Sequence, residues 1–445
     1  MRRRSHGCSG YQQSNFRRRD FLRVGSVGGL GLSLGQMLKL EAAQKNYKSV
    51  EGTAKNVIQI RLSGGVAAQE SWNPKPEAPA EYRGPFGVTK TLIPGIVLSE
   101  TMPQTAKIAD KLTVVRSLVG SIPDHGNAMY HMLRGYKMTP AIKHPTVGSV
   151  VNHEFGGRGA LPGYVKIGRA ADETGYLASQ HGPFATGGDP GTGNFELQDM
   201  SLSYGLTWEE FENRKKIRDA INNKFRKLES DSAPLDALDS YYGQAFEMIS
   251  SDKVKDAFDL SKEPEKLKER YGKGRFEKMG SQAGMRMLLA RRLVESGVRF
   301  VSFDYGGWDD HSNIKAGFET RMPAFDNAFA TLINDLDERG LLDSTLVWVV
   351  SEMGRTPKVN NVAGRDHWSR VFSLGMAGGG LKRGLFYGDA DITSSEPSRD
   401  AVSLADLHAT IYKLIGINSD KELMAPGPRP MEIIDGGKPI SDLIA

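Results

Sequence analysis

The chain contains a single cysteine, Cys8, in 445 residues. One thiol cannot form an internal disulfide, so the fold must be held by packing, hydrogen bonding or metal ligation. Long apolar runs are also missing. No uncharged stretch reaches the roughly 20 apolar residues that a spanning helix needs, so no stable transmembrane span is expected in the mature form. The body also lacks an excess of either charge. Residues 1–23 hold seven arginines (Arg2, Arg3, Arg4, Arg17, Arg18, Arg19 and Arg23) against one acid, Asp20, whereas the rest of the chain carries 51 basic and 52 acidic side chains. A body so close to neutral has no electrostatic bias toward polyanions, and nucleic acid is not an expected partner.

What is present at the N-terminus is a basic segment followed by a short apolar one. Arg18-Arg19-Asp20-Phe21-Leu22-Arg23 resembles a twin-arginine export signal, and the glycine-rich stretch Val24–Leu34 that follows has the charged-then-apolar order of a targeting peptide. The expectation is a leader over residues 1–45 that engages the twin-arginine translocation machinery. The mature protein would then be periplasmic or secreted, or held at a membrane by an uncleaved leader. Cys8 precedes the paired arginines, so the mature body would have no thiol. A protein exported in the folded state could acquire a buried metal before leaving the cytoplasm.

The length suits one main domain with a sizeable insertion, and 39% hydrophobic with 25% charged residues is ordinary globular composition. Strand patterns occur at Asn56–Leu62, Leu112–Ser117, Val298–Asp304, Thr345–Ser351 and Val371–Ala377. Helical periodicity marks Phe318–Arg339 and Leu404–Ile415. This alternation predicts an α/β fold with a mostly parallel central sheet flanked by helices, over residues 56–445. Between about 207 and 297 the chain turns charged and glycine-poor, as in Trp208-Glu-Glu-Phe-Glu-Asn-Arg-Lys-Lys, and reads as a helical insertion. Its charge runs are expected to be solvated helix faces.

Groups that can carry chemistry stand where these strands end. Glu70-Ser71 follows the first strand and could supply a metal ligand beside a hydroxyl nucleophile. Asp309 and His311, in Gly306-Gly-Trp-Asp-Asp-His311, fall on one side of an extended segment; oxygen and imidazole together suit zinc, manganese or iron. Glu352 follows the most apolar strand, where an acid is costly unless paired or metal-bound, and Arg355 could meet it or a substrate oxyanion. Asp366-His367 adds a second acid and imidazole, while Asp124, His125 and His131 form a third cluster that reads equally as a helix cap with surface histidines.

The motifs Asn73-Pro-Lys-Pro76, Glu81-Tyr-Arg-Gly-Pro-Phe86, Gly306-Gly-Trp-Asp309, Gly354-Arg-Thr-Pro357, Gly364-Arg-Asp-His-Trp368 and Asp435-Gly-Gly-Lys-Pro439 resemble those of the secreted family called domain of unknown function 1501, a branch of the alkaline phosphatase and sulfatase superfamily. The resemblance implies an alkaline-phosphatase-like sheet and one or two divalent ions, zinc, manganese or similar. It assigns Glu70 to the metal and Ser71 to the nucleophile, gives Asp309, His311, Glu352 and His367 later ligand roles, and makes Arg355 a holder of the transferred group's oxygens. Many relatives carry Asp-Thr where this chain has Glu70-Ser71, Asn73 replaces a frequent aspartate, and Met353 stands where a histidine is usual.

A sulfatase aldehyde arises in a Cys/Ser-x-Pro-x-Arg setting, which Ser71-Trp-Asn-Pro-Lys75 does not match. Ser395-Glu-Pro-Ser-Arg399 does match, but in a polar turn far downstream. The expected activity is therefore a metal-dependent phosphate or sulfate ester hydrolase that uses an unmodified serine, acting on a small-molecule or polysaccharide ester. The alternative is a non-catalytic exported binding protein that uses the same crevice for polysaccharide or a protein partner.

Overall fold

In the computed structural model, the described residues are 50–169, 174–192, 195, 207–226, 243, 246–276, 282–427 and 429–445. The twin-arginine motif and the rest of the expected leader lie outside them. Among the described residues nine strands form the central sheet: β1 (Asn56–Arg61), β2 (Leu112–Val119), β3 (Tyr164–Ile167), β4 (Phe184–Ala185), β5 (Phe300–Asp304), β6 (Thr345–Val350), β7 (Phe372–Ala377), β8 (Leu385–Tyr387) and β9 (Val402–Ser403). Their order is β8-β2-β7-β6-β1-β5-β3-β4, with β9 also pairing to β2. All ladders are parallel except those of β7, which runs against both β2 and β6. The expected mostly parallel sheet with helices around it is what the chain forms.

Strands β1 and β6 are buried along their whole length, which explains their near-continuous apolar sequences. Alternate residues serve opposite faces. Ile58, Ile60, Val347, Val349, Val301 and Phe303 join one core, while Val57, Leu346, Trp348, Val350 and Phe300 join the other. The first core is closed by α6 (Ala283–Ser296) and α7 (Ile314–Glu338), the second by α2 (Val147–Phe155) and α8 (Leu404–Ile415). Each large apolar side chain so covered contributes about 1.5–3 kcal/mol. Helix α1 (His125–Arg134) follows β2.

The segment read as a helical insertion holds α3 (Trp208–Arg226), α4 (Asp252–Phe258) and α5 (Glu265–Arg270) before α6. Helix α6 belongs to the sheet's covering layer. Its Leu288, Leu289, Ala290 and Leu293 are fully buried, and Arg291, also fully buried, is held by Glu263 and Asp335. Among the described residues no helix is long and apolar enough to cross a membrane.

The topology decides where the loops meet. The parallel strands β2, β6, β1 and β5 all end at one edge of the sheet, and the antiparallel β7 begins at that edge. Segments 120–125, 351–357, 63–73, 305–313 and 364–371 are thereby collected side by side, in the position where open α/β sheets bind ligands.

Candidate metal centre

Gly64 sets the approach of the first two loops. Its φ is +120°, and a Cβ there would fall 2.6 Å from Asp309 N and 2.7 Å from the Trp308 backbone, so only glycine lets the loops after β1 and β5 touch. The Gly64 amide donates to Glu352 Oε1 at 2.7 Å, which joins the loop after β6 to the pair. Glu352 is buried, and its Oε2 has no hydrogen-bond partner among the described residues.

Three imidazoles close on Asp309. His125 Nδ1 donates to Glu352 Oε1 at 2.9 Å and its Nε2 lies 3.3 Å from Asp309 Oδ2. His311 Nδ1 donates to Asp366 Oδ1 at 2.7 Å and its Nε2 lies 2.9 Å from Asp309 Oδ1. His367 Nδ1 donates to Pro123 O at 2.8 Å and its Nε2 lies 3.3 Å from Asp309 Oδ1. Each ring thus has its Nδ1 proton committed to an acceptor, and each Nε2 lone pair is turned inward. An acceptor on the far nitrogen is the usual partner of a metal-ligating histidine. Ligand atoms of His125, Asp309 and His367 all lie within 4.8 Å of one another.

Burial would by itself raise the Asp309 pKa, but the Arg355 guanidinium, 2.5 Å from Oδ1, outweighs it and holds the carboxyl at about 2. The hydrogen bond from His311 lowers Asp366 in the same direction. Imidazole nitrogens with a carboxylate and a buried, unpaired Glu352 oxygen nearby form a donor set that fits zinc, manganese or iron. The residues that would hold an ion are Asp309, His125, His311 and His367, with Glu352 and Asp366 behind two of the rings.

The structure brings together Asp309, His311, His367, Glu352 and Asp366 from the sequence-predicted set, and His125 from the third cluster. It does not bring in the others. Glu70 is fully buried and faces Arg365, whose Nη2 donates to Oε1 at 2.7 Å. Burial raises the Glu70 pKa against the opposing pull of Arg365. The Glu70 carboxylate, expected as a metal ligand, is thus held in a buried ion pair with Arg365. The Ser71 hydroxyl, expected as nucleophile, is buried and donates to Ala67 O at 2.6 Å within its own loop.

Arg355, expected to hold substrate oxygens, is also buried. Its Nε donates to Gly65 O at 2.8 Å, Nη1 to Arg365 O at 3.0 Å, and Nη2 to Gly64 O and Asp309. It clamps the loops from beneath. Asp124 is the N-cap of α1, accepting from Asn127 N at 2.9 Å, and His131 sits further along that helix with its pKa lowered by burial.

Two contributors escaped the sequence reading. The carbonyl of Pro123 orients His367, and carbonyls leave no mark in a sequence. Arg365 stands in Gly364-Arg-Asp-His-Trp368, where the signal is a charged side chain beside Asp366-His367 that needs a partner.

No curated protein sequence matches the chain. Among solved structures it resembles a protein in the alkaline phosphatase superfamily from Vibrio parahaemolyticus, at 11% identity over 89% of this chain and 86% of that one, with a TM-score of 0.35. It also resembles the phosphonate monoester hydrolase of Agrobacterium radiobacter (11% identity, 87% and 77% covered, TM-score 0.40) and a sulfatase from Pseudoalteromonas sp. (13% identity, 85% and 70% covered, TM-score 0.36). Residues 54–444 match one family model over nearly the whole described body, and the chain belongs to the family described as "Protein of unknown function (DUF1501)".

Proposed function

We propose that the cluster around Asp309 is a divalent-metal centre, and that the protein is an exported, metal-dependent hydrolase of phosphate or sulfate esters. One observation carries the metal reading: three histidines commit Nδ1 to Glu352, Asp366 and Pro123 and turn Nε2 toward a single carboxylate. A divalent ion bound there would supply Lewis acidity toward an ester oxygen. Asp309, held at about 2, keeps its negative charge at any physiological pH, and its side chain is 44% exposed, so solvent and substrate can reach it. The ester class and the export route rest on the resemblances read from the motifs. With Ser71 buried and bonded within its loop, the attacking group is taken to be water.

A second reading, a non-catalytic exported binding protein for polysaccharide or a protein partner, is favoured by the burial of both Ser71 and Arg355, whose donors are already occupied. Metal analysis of the folded protein beside turnover of an aryl phosphate and an aryl sulfate separates the two. The hydrolase reading expects a stoichiometric divalent ion and turnover that His367→Ala abolishes. Bound metal without turnover of either ester would support the binding protein, and absence of bound metal would sink the metal centre.

A further inference from the structure

Glu70 and Arg365 are separated by 295 positions, and both side chains are wholly excluded from solvent. Arg365 Nε donates to the two Glu70 oxygens at 3.0 and 3.1 Å, and Nη2 to Oε1 at 2.7 Å. Its other side-chain hydrogen bonds reach Tyr82 O at 2.8 Å, Thr356 O at 2.9 Å and Pro357 O. The backbone of Arg365 is engaged as well. Its amide donates to Asp310 O at 2.9 Å, between Asp309 and His311, and its carbonyl accepts from Arg355 Nη1 at 3.0 Å. This one residue therefore joins the segment of Asp309 and His311, the segment of Glu352 and Arg355, and its own neighbours Asp366 and His367.

Taking two charges out of water is costly, and well-packed apolar residues of similar volume often stabilise a fold as well or better. An arginine–carboxylate pair adds direction instead: a planar fork whose donors fix several acceptors at set angles. Here those acceptors are Glu70 and the backbone carbonyls of Thr356 and Pro357, in the loop after β6, and of Tyr82, and Gly84 lies so close that a Cβ there would fall 2.1 Å from Glu70 Oε1.

We propose that Glu70 and Arg365 are positioning residues for the Asp309 cluster, and that the pair sets where Asp366 and His367 stand and hence the aim of His311 and His367. The value of that aim rests on the reading of the cluster as a metal centre. Glu70 acts without touching the ion.

Glu70→Gln keeps the shape of the side chain and removes its charge; Arg365→Lys keeps a charge and removes the fork. Two measurements apply to the full chain. Long-range ¹H–¹⁵N correlation on metal-free protein reports the ring tautomers of His311 and His367, and cobalt(II) titration against a chelator, followed by its visible spectrum, reports affinity and ligand geometry. The wild type is expected to show both rings protonated at Nδ1. Each variant that circular dichroism shows to be folded is expected to lose that pattern at one ring or both, and to bind cobalt about 10- to 100-fold more weakly. A folded variant with wild-type tautomers and wild-type cobalt affinity overturns the proposal. If wild-type protein binds no cobalt while the variants still change ring tautomer, the metal reading falls and the positioning role stands. Should Glu70→Gln fail to fold, Arg365→Lys decides by the same two measurements.

Discussion

The Nε2 atoms of His311 and His367 lie 3.1 Å apart, although the Nδ1 of each ring already donates elsewhere, to Asp366 Oδ1 in one case and Pro123 O in the other. Two neutral rings in these tautomers set lone pair against lone pair. A cation between them, or a proton on one of them, removes the conflict, and Asp309 beside both supplies the negative charge that favours either.

Zinc or manganese is therefore expected to raise the melting temperature over that of chelator-treated protein. At a free metal concentration 100-fold above the dissociation constant, linkage adds about 2.7 kcal/mol to the unfolding free energy. Calorimetry on wild type and His367→Ala checks this: the increment should vanish in the variant. Identical wild-type melting with and without metal would contradict it.

Gly64→Ala should disturb the centre from the backbone side. At φ +120° a side chain costs about 1–3 kcal/mol in backbone strain, before the contact of its Cβ with Asp309 N is counted. Denaturant unfolding should show a loss of at least that size, together with weaker metal binding. A variant as stable as the wild type would mean that the two loops do not approach so closely.

The fold should lose stability in mild acid through His408. Burial lowers the pKa of this ring from 6.5 to about 4. Between those values the unfolded chain takes up a proton that the folded one does not, so the contribution is complete above pH 6.5 and falls as pH drops toward 4, at up to about 1.4 kcal/mol per pH unit. Asp309, held at about 2, contributes above pH 3.8 and loses its share only below it, outside this window. Urea midpoints for wild type and His408→Leu between pH 4 and 7 give the comparison, and the variant should show the shallower slope.

Ser71→Ala should leave any ester turnover within about twofold of the wild type and cost about 1 kcal/mol of stability, the usual net value of a hydrogen bond such as Ser71 Oγ to Ala67 O. Steady-state kinetics with an aryl phosphate decides it. A loss of several orders of magnitude in kcat, with the fold intact, would restore Ser71 as nucleophile.

Much of the fold was readable in local pattern. The β-branched runs at 56–62 and 345–351 became the buried β1 and β6, and Leu404–Ile415 became α8 with the predicted bounds. Strands β3, β4, β8 and β9 were not foreseen, being two to four residues long, too short for periodicity to register. The acids and imidazoles at 309, 311, 366 and 367 were legible because each follows or precedes a strand at a break in the pattern. His125 was harder to place, since a histidine beside a capping aspartate reads equally as an ordinary helix start.

The sequence by itself determined that this protein has no disulfide to rely on, that its body is near neutral, and that strands and helices alternate with reactive groups at the strand ends. These properties follow from composition and from periodicity over a few residues. Only the tertiary structure decided which of those groups face one another. The reversed direction of β7 brings the 364–371 segment to the edge where β1, β2, β5 and β6 end, and there His125 joins Asp309 while Glu70 turns to Arg365. Partners 295 residues apart leave no spacing to read, because their meeting depends on strand order and direction.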